Sequence, residues 1–235
     1  MNLILIAPEE LDLETRLAVL SGRRAAHVRQ VHRAQVGDTL RVGVWDGRVG
    51  RGRVLELAQD RVVFQIESTS SPPQDAGIHL MLALPRPKVL GRLLRDASTL
   101  GIKRLTLVNA ARVEKSYWQN HRLAPTWMHE QMLLGLEQAR DTLLPRIELR
   151  RRSRPFVEDE LSRAQGRKLV LHPGAAEPCP RACPDFLTVA VGPEGGFVPF
   201  ELELLANAGF SPLTLGARVL RVETVIGVLV GRLRG

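Results

Sequence analysis

Past residue 77 the chain switches repeatedly between two hydrophobic periods, and no other feature constrains its fold as strongly. Strand-length apolar runs at 78–84, 104–108, 147–150, 168–172 and 186–191 alternate with helical patterns at 88–100, 126–142, 156–165, 199–209 and 223–233. Parallel strands need a crossover between them, usually a helix, so this order predicts an α/β fold with a mostly parallel sheet and helices on both faces. Ligands of such sheets sit beyond the carboxyl ends of the strands, where His172, Gly192 and Gly216 fall.

The first 70 residues follow a different rule. Short β-rich runs at 3–7, 39–45, 49–57 and 61–67, with Asp46-Gly47 as a hairpin turn and one short helix near 24–32, predict a small barrel. Residues 68–77 are rich in Ser, Thr, Pro and Gly, a linker composition. The boundary is drawn there, giving domains 1–71 and 72–235. No internal repeat is evident.

Charge narrows the partner. The chain has 235 residues, with 33 Lys and Arg against 25 Asp and Glu, a formal net charge of +8. Such a field attracts polyanions, and nucleic acid leads among them. No apolar stretch is long enough to span a bilayer and the first seven residues lack a leader's basic region, so a cytoplasmic protein without a membrane partner is expected. Cys179 and Cys183, the two cysteines, stand in a Pro-rich loop with no second pair to complete a zinc site. They are read as loop residues in a reducing compartment, a disulfide or redox role being the alternative.

The stretch Val191-Gly-Pro-Glu-Gly-Gly-Phe197 concentrates glycine where an apolar strand ends. Without Cβ atoms, Gly192, Gly195 and Gly196 let a ligand lie directly on the backbone, though an ordinary tight turn also accounts for one such loop. Other nucleotide-site patterns are absent: there is no Gly-x-Gly-x-x-Gly after the first strand of the second part, no Walker loop, no His-Glu-x-x-His and no serine on a nucleophile elbow. Dehydrogenase, P-loop, zincin and serine-hydrolase chemistry therefore lack support.

Three ordered segments then carry a resemblance. Leu171-His-Pro173, Val191-Gly-Pro-Glu-Gly-Gly196 and Leu215-Gly-Ala-Arg-Val-Leu-Arg-Val-Glu-Thr224 resemble the S-adenosyl-L-methionine-binding segments of the SPOUT superfamily. Within it the chain resembles the RsmE family of 16S ribosomal RNA uridine-N3 methyltransferases. Val36-Gly-Asp38 with Trp45-Asp-Gly47 resembles that family's PUA-like N-terminal barrel, and Leu100-Gly101 and Glu137-Gln-Ala-Arg140 before Pro145 resemble its central landmarks.

The resemblance implies a SPOUT-type parallel sheet with a C-terminal trefoil knot behind a PUA-like RNA-binding barrel. It implies a homodimer acting on 16S ribosomal RNA or the assembled small subunit, with no metal. The donor would be held by Leu171, His172, Pro173, Val191, Gly192, Pro193, Glu194, Gly195, Gly196, Leu215, Gly216, Val219 and Leu220. Arg221 is the candidate contact to uracil or phosphate, and Glu194 and Glu223 are candidate proton acceptors or orienting carboxylates. Each also has a plain structural reading, since a glutamate at a helix start supports the dipole and an arginine often only pairs with a carboxylate. RNA docking falls to Arg23, Arg24, His27 and Arg33 in the first domain, to Lys88 and Arg92 on one helical face, and to Arg140, which can alternatively pair with Glu137 one turn away. Gly227 and Gly231, four apart on the last helix, are expected to pack closely in the core or at the dimer interface. A SPOUT enzyme acting on 23S or transfer RNA, and a non-catalytic ribosome-assembly factor, remain the competing readings.

Overall fold

A computed structural model describes residues 2–235, and they divide into two compact units: residues 2–74 with Leu133–Leu144, and Asp75–Met132 with Pro145–Gly235. The first unit thus takes in a segment, 133–144, that a linear boundary at residue 71 leaves to the second.

In the first unit, β1 (Ile4–Ile6), β2 (Leu11–Asp12), β3 (Leu17–Ser21), β4 (Thr39–Val44), β5 (Val49–Leu57) and β6 (Arg61–Ser70) form one sheet in the order β1-β4-β5-β6-β3-β2. Only the β1–β4 pairing is parallel. Alternation drives it: Gly52 and Val54 on β5 and Val62, Phe64 and Ile66 on β6 turn inward while Arg51, Arg53 and Gln65 turn out. Helix α1 (Gly22–Gln30) buries Ala25 and Val28 in the same core. At Gly50 no other residue fits, because a Cβ would lie 2.0 Å from the carbonyl oxygen of Glu67 across the ladder.

Residues 133–144 belong here for a visible reason. Leu136 is fully buried with Leu3 and Leu5, and Leu133 and Leu144 flank that cluster. The Asp46-Gly47 turn, with Asp46 at φ 51°, receives Leu144 N–H on its carboxylate at 2.8 Å and Thr142 Oγ1 on the Gly47 carbonyl at 2.5 Å.

The second unit contains β7 (Ile78–Ala83), α2 (Pro87–Thr99), β8 (Arg104–Val108), α3 (Pro125–Ala139, its last turns lying in the first unit), β9 (Arg146–Arg150), α4 (Ser153–Pro155) running into a π-turn at Phe156–Leu161, β10 (Arg167–Leu171), β11 (Leu187–Val191), α5 (Pro199–Asn207), β12 (Ser211–Leu213) and α6 (Val222–Arg234). Its sheet is parallel throughout, in the order β12-β10-β11-β7-β8-β9. Central β11 is buried along its whole length, which is why its sequence is continuously apolar and not alternating. Helix α2 starts on Pro87 and lays Leu90, Leu93, Leu94 and Ala97 as one stripe into the core. Truncating a side chain as buried as Leu94 costs about 2–5 kcal/mol.

Five elements differ from the sequence reading. Strands β2, β3 and β12 were not expected; β12 is a Ser-Pro-Leu triplet whose proline is tolerated because the strand lies at the sheet edge. Helix α3 stops at Ala139, three residues short of the expected end, because Arg140 adopts φ 60°. The predicted 156–165 helix begins at Ser153 and becomes a π-turn. Among the described residues no helix is long and apolar enough to cross a membrane.

Candidate functional site

Three parallel strands end side by side, and the loops leaving them build one cleft. After β10 come Leu171, His172 and Pro173; after β11 come Gly192, Pro193, Glu194 and Gly196; after β12 come Thr214, Leu215, Gly216, Arg218, Val219 and Leu220. Register fixes the convergence, with Leu171 opposite both Val191 and Leu213, and His172 N–H bonded to the Leu213 carbonyl at 2.9 Å. Val222 and Val225 of α6 close the apolar side, and the open cleft encloses about 620 Å³ counted out to solvent.

Its floor is bare backbone by necessity. Gly196 has φ 74° and Gly216 φ 124°, conformations that side-chain-bearing residues avoid, and a Cβ on Gly216 would meet nothing within 4 Å. Thr214 Oγ1 receives Gly216 N–H at 3.2 Å and steadies the second turn.

Neighbouring elements hold the glycine loop from outside. The Arg112 guanidinium donates to the Gly195 carbonyl, and a Cβ on Gly195 would sit 2.9 Å from Arg112 Cδ. Glu201 accepts Val198 N–H at 2.9 Å at the head of α5 and Ala111 N–H at 2.7 Å. Glu194 lies 3.6 Å from Arg86 Nε, both largely exposed. Glu223, in the first turn of α6, lies 3.5 Å from Arg92 and is more enclosed. Beside that pair, burial pushes the Asp96 carboxyl up while Arg92 and Arg95 oppose the shift.

The comparisons with known proteins bear on what such a cleft does. A family model described as RNA methyltransferase domain matches residues 72–234. Ribosomal RNA small subunit methyltransferase E of Treponema pallidum is 31% identical over 237 residues, covering 95% of this chain and 87% of the relative. The chain belongs to the ribosomal RNA small subunit methyltransferase E family. A second family member, from Mycobacterium tuberculosis, is 29% identical over 92% of this chain and 85% of its own length. Two solved structures share the fold. A putative methyltransferase from Legionella pneumophila in complex with S-adenosylmethionine superposes with TM-score 0.78 at 24% identity, covering 98% of this chain and 94% of that one. The methyltransferase E of Neisseria gonorrhoeae, bound to the same cofactor, gives 0.72 at 21% identity, covering 97% and 94%.

In this chain, twelve of the thirteen residues expected to hold the donor line the cleft; Gly195 does not, its carbonyl being turned to Arg112. Glu194 lines the cleft, whereas Glu223 and Arg221 do not. Arg221 is the exposed residue immediately before α6, with no ion pair among the described residues. Arg218, Thr214, Val222 and Val225 line the cleft and were missed, although all four lie in or beside the third segment and could have been read from it.

The basic candidates separate. Lys88 is exposed on α2, but Arg92 is engaged by Glu223. In the first unit Arg23 and Arg33 are exposed, whereas Arg24 is tied to the Glu10 carboxylate and, at 2.9 Å, to the Leu5 carbonyl. His27 packs edge-on to His32, and desolvation followed by the His32 charge pulls its pKa down, so it is neutral at pH 7. Arg140 is exposed beyond the helix end and does not pair with Glu137. Glu137 is buried, and its Oε2 has no hydrogen-bond partner among the described residues. Gly227 and Gly231 face open space, so close packing inside the chain is not their role.

Proposed function

We propose that the protein methylates N3 of a specific uridine in 16S ribosomal RNA, with S-adenosyl-L-methionine as donor. The observation that carries this reading is the convergence of three loops in one cleft whose chemistry matches the donor. Apolar Leu215, Val219 and Leu220 suit an adenine, bare peptide groups at Gly192 and Gly216 suit close approach, the Glu194 carboxylate suits a cation and the Arg218 guanidinium suits a carboxylate. S-adenosylmethionine supplies a methyl group already activated by its sulfonium. The residues of the chain then have to position, exclude water and handle one proton.

The uridine N3–H lies on the Watson–Crick edge, so the base must be unpaired before it can enter. Glu194 is the carboxylate on the cleft wall and accepts the N3 proton. Arg221, exposed beside the cleft segment and without a carboxylate partner among the described residues, stabilises negative charge on the uracil oxygens or holds a phosphate. Glu223 serves differently, fixing Arg92 and hence the start of α6 against α2.

The family also implies a trefoil knot, a PUA-like RNA-binding first domain (1–71, followed by the methyltransferase domain 72–235) and a homodimer. In support of threading, the loop after β10 hydrogen-bonds on one side to Thr214, through Cys179 N–H and the Glu177 carbonyl at 2.8 Å each, and on the other to Arg232 and Leu233 of α6. The open Gly227/Gly231 face of α6 is the surface offered to a second copy. Exposed Arg23, Arg33 and Lys88 are offered to RNA phosphates.

Labelled S-adenosylmethionine incubated with the protein and undermethylated small subunits, followed by mass mapping of the RNA, tests the reading. One methyl group on N3 of one 16S uridine is expected, with RNA affinity falling steeply with salt. Absence of donor binding by calorimetry, or a methyl group placed on ribose, transfer RNA or 23S RNA, overturns it.

A further inference from the structure

Strand β8 begins on Arg104 and β9 on Arg146, and the parallel register sets these two residues side by side. His79 of β7 is the next partner along, so the three share one row and one face at the amino edge of the sheet. Neighbouring strands stand about 4.8 Å apart. Like charges placed opposite each other at that spacing repel, and folding alone gains nothing from the arrangement.

The row lines a pocket of about 730 Å³ counted out to solvent, whose other wall is the π-turn that carries Phe156 and Glu160. It lies at the end of the sheet opposite the donor cleft and shares no residue with it. The pocket's two carboxylates are already engaged: Glu148 and Glu160 both pair with Arg150, at 2.9 and 3.0 Å. Arg104 and Arg146 are exposed and have no ion pair among the described residues. The Arg104 guanidinium lies 5.5 Å from the centroid of the Phe186 ring, a contact that orients it without using its N–H groups. His79 Nε2 is 2.9 Å from Thr106 Oγ1, which fixes the imidazole on the pocket wall. Burial pulls the His79 pKa down, Arg104 adds to that pull and Glu148 opposes it less strongly, so the ring is neutral at pH 7 in a net positive field.

Two free guanidiniums in a row match the oxygens of a phosphate, which they can grip with paired N–H groups. Being exposed, they hold a lone phosphate only weakly, because water and salt screen them. On a polyanion anchored elsewhere the same contact adds to the whole. We infer that Arg104 and Arg146, with His79 beside them, form a second anchoring site that takes a backbone phosphate of the RNA substrate. This rests on the reading that the protein acts on RNA. Strands of five residues put about 13–17 Å between the two ends of the sheet, so the phosphate belongs to a nucleotide other than the one methylated.

The test is equilibrium binding of a small-subunit RNA fragment over a range of salt by three full-length proteins: wild type, Arg104→Gln with Arg146→Gln, and Arg104→Lys with Arg146→Lys. Methyl transfer, donor binding by calorimetry and melting temperature are followed alongside. The glutamine variant is expected to bind RNA about tenfold more weakly at low salt and to lose about one unit of slope in log affinity against log salt. The loss should fall on KM for RNA, with kcat, donor affinity and melting temperature unchanged. The lysine variant keeps the charge and should keep most of the slope. A glutamine variant that matches an active wild type in RNA affinity and slope overturns the site and leaves the function standing. Equal loss of slope in the glutamine and lysine variants is a structural effect and overturns it too. Inorganic phosphate that binds the wild type but not the glutamine variant, while both bind RNA equally, assigns the pocket to a free anion and overturns the RNA phosphate. A wild type that neither binds nor methylates RNA overturns the function and the site with it.

Discussion

Replacing Gly216 with alanine separates two things the cleft floor does. The residue sits at φ 124°, where a Cβ costs about 1–3 kcal/mol of backbone strain. No atom lies within 4 Å of that Cβ, so no clash adds to the strain. For a chain of this size each kcal/mol lowers the melting temperature by roughly 2–4 °C, so the ligand-free variant should melt roughly 2–12 °C lower. The same Cβ stands on the wall of the cleft proposed for the donor. Saturating donor at about 100 times its Kd stabilises the wild type by about 2.7 kcal/mol, a rise of roughly 5–11 °C, and the variant should show a clearly smaller rise at the same concentration. Scanning calorimetry with and without S-adenosylmethionine measures both shifts. A variant that melts within about 1 °C of the wild type refutes the strain argument; an undiminished donor-induced rise refutes the placement of Gly216 on the donor wall.

Arg221→Ala should reduce methyl transfer by about tenfold or more while leaving donor affinity unchanged, read by rate and calorimetry side by side; full activity removes Arg221 from the reaction. Burial raises the Glu137 carboxyl above its ordinary 4.5, with Arg23 and Arg24 pulling the other way. A raised folded-state value means the stabilisation is full below 4.5 and lost as pH rises through the folded value. Glu137→Gln should therefore be more stable than wild type by about 1–3 kcal/mol at pH 7.5, with the gap closing in acid; urea melts at both pH values decide, and an unchanged gap sinks the account. Gly227→Ala should gain about 0.5–1 kcal/mol of helix stability in the isolated chain yet weaken self-association, seen by sedimentation equilibrium. Unchanged association moves the dimer contact elsewhere.

The second unit was largely legible in the sequence because parallel strands buried on both faces leave continuous apolar runs, and 187–191 is such a run. Its cleft was legible because bare backbone leaves glycines that a sequence displays directly. The 133–144 segment was not, since Leu133, Leu136 and Leu144 read as ordinary helix core and nothing local says that their partners are Leu3 and Leu5. The ion pairs of Arg24 and Arg92 were not legible, because sequence shows a charge but not the carboxylate that folding brings to it.

The order of the three cleft segments along the chain has a consequence during synthesis. The walls at 171–173 and 191–196 leave the ribosome first, and the wall at 213–225 leaves last. Polypeptides interrupted before Leu213 thus lack both the third wall and the edge strand β12 that aligns His172. Such fragments could carry basic side chains to RNA, but they would hold no methyl donor.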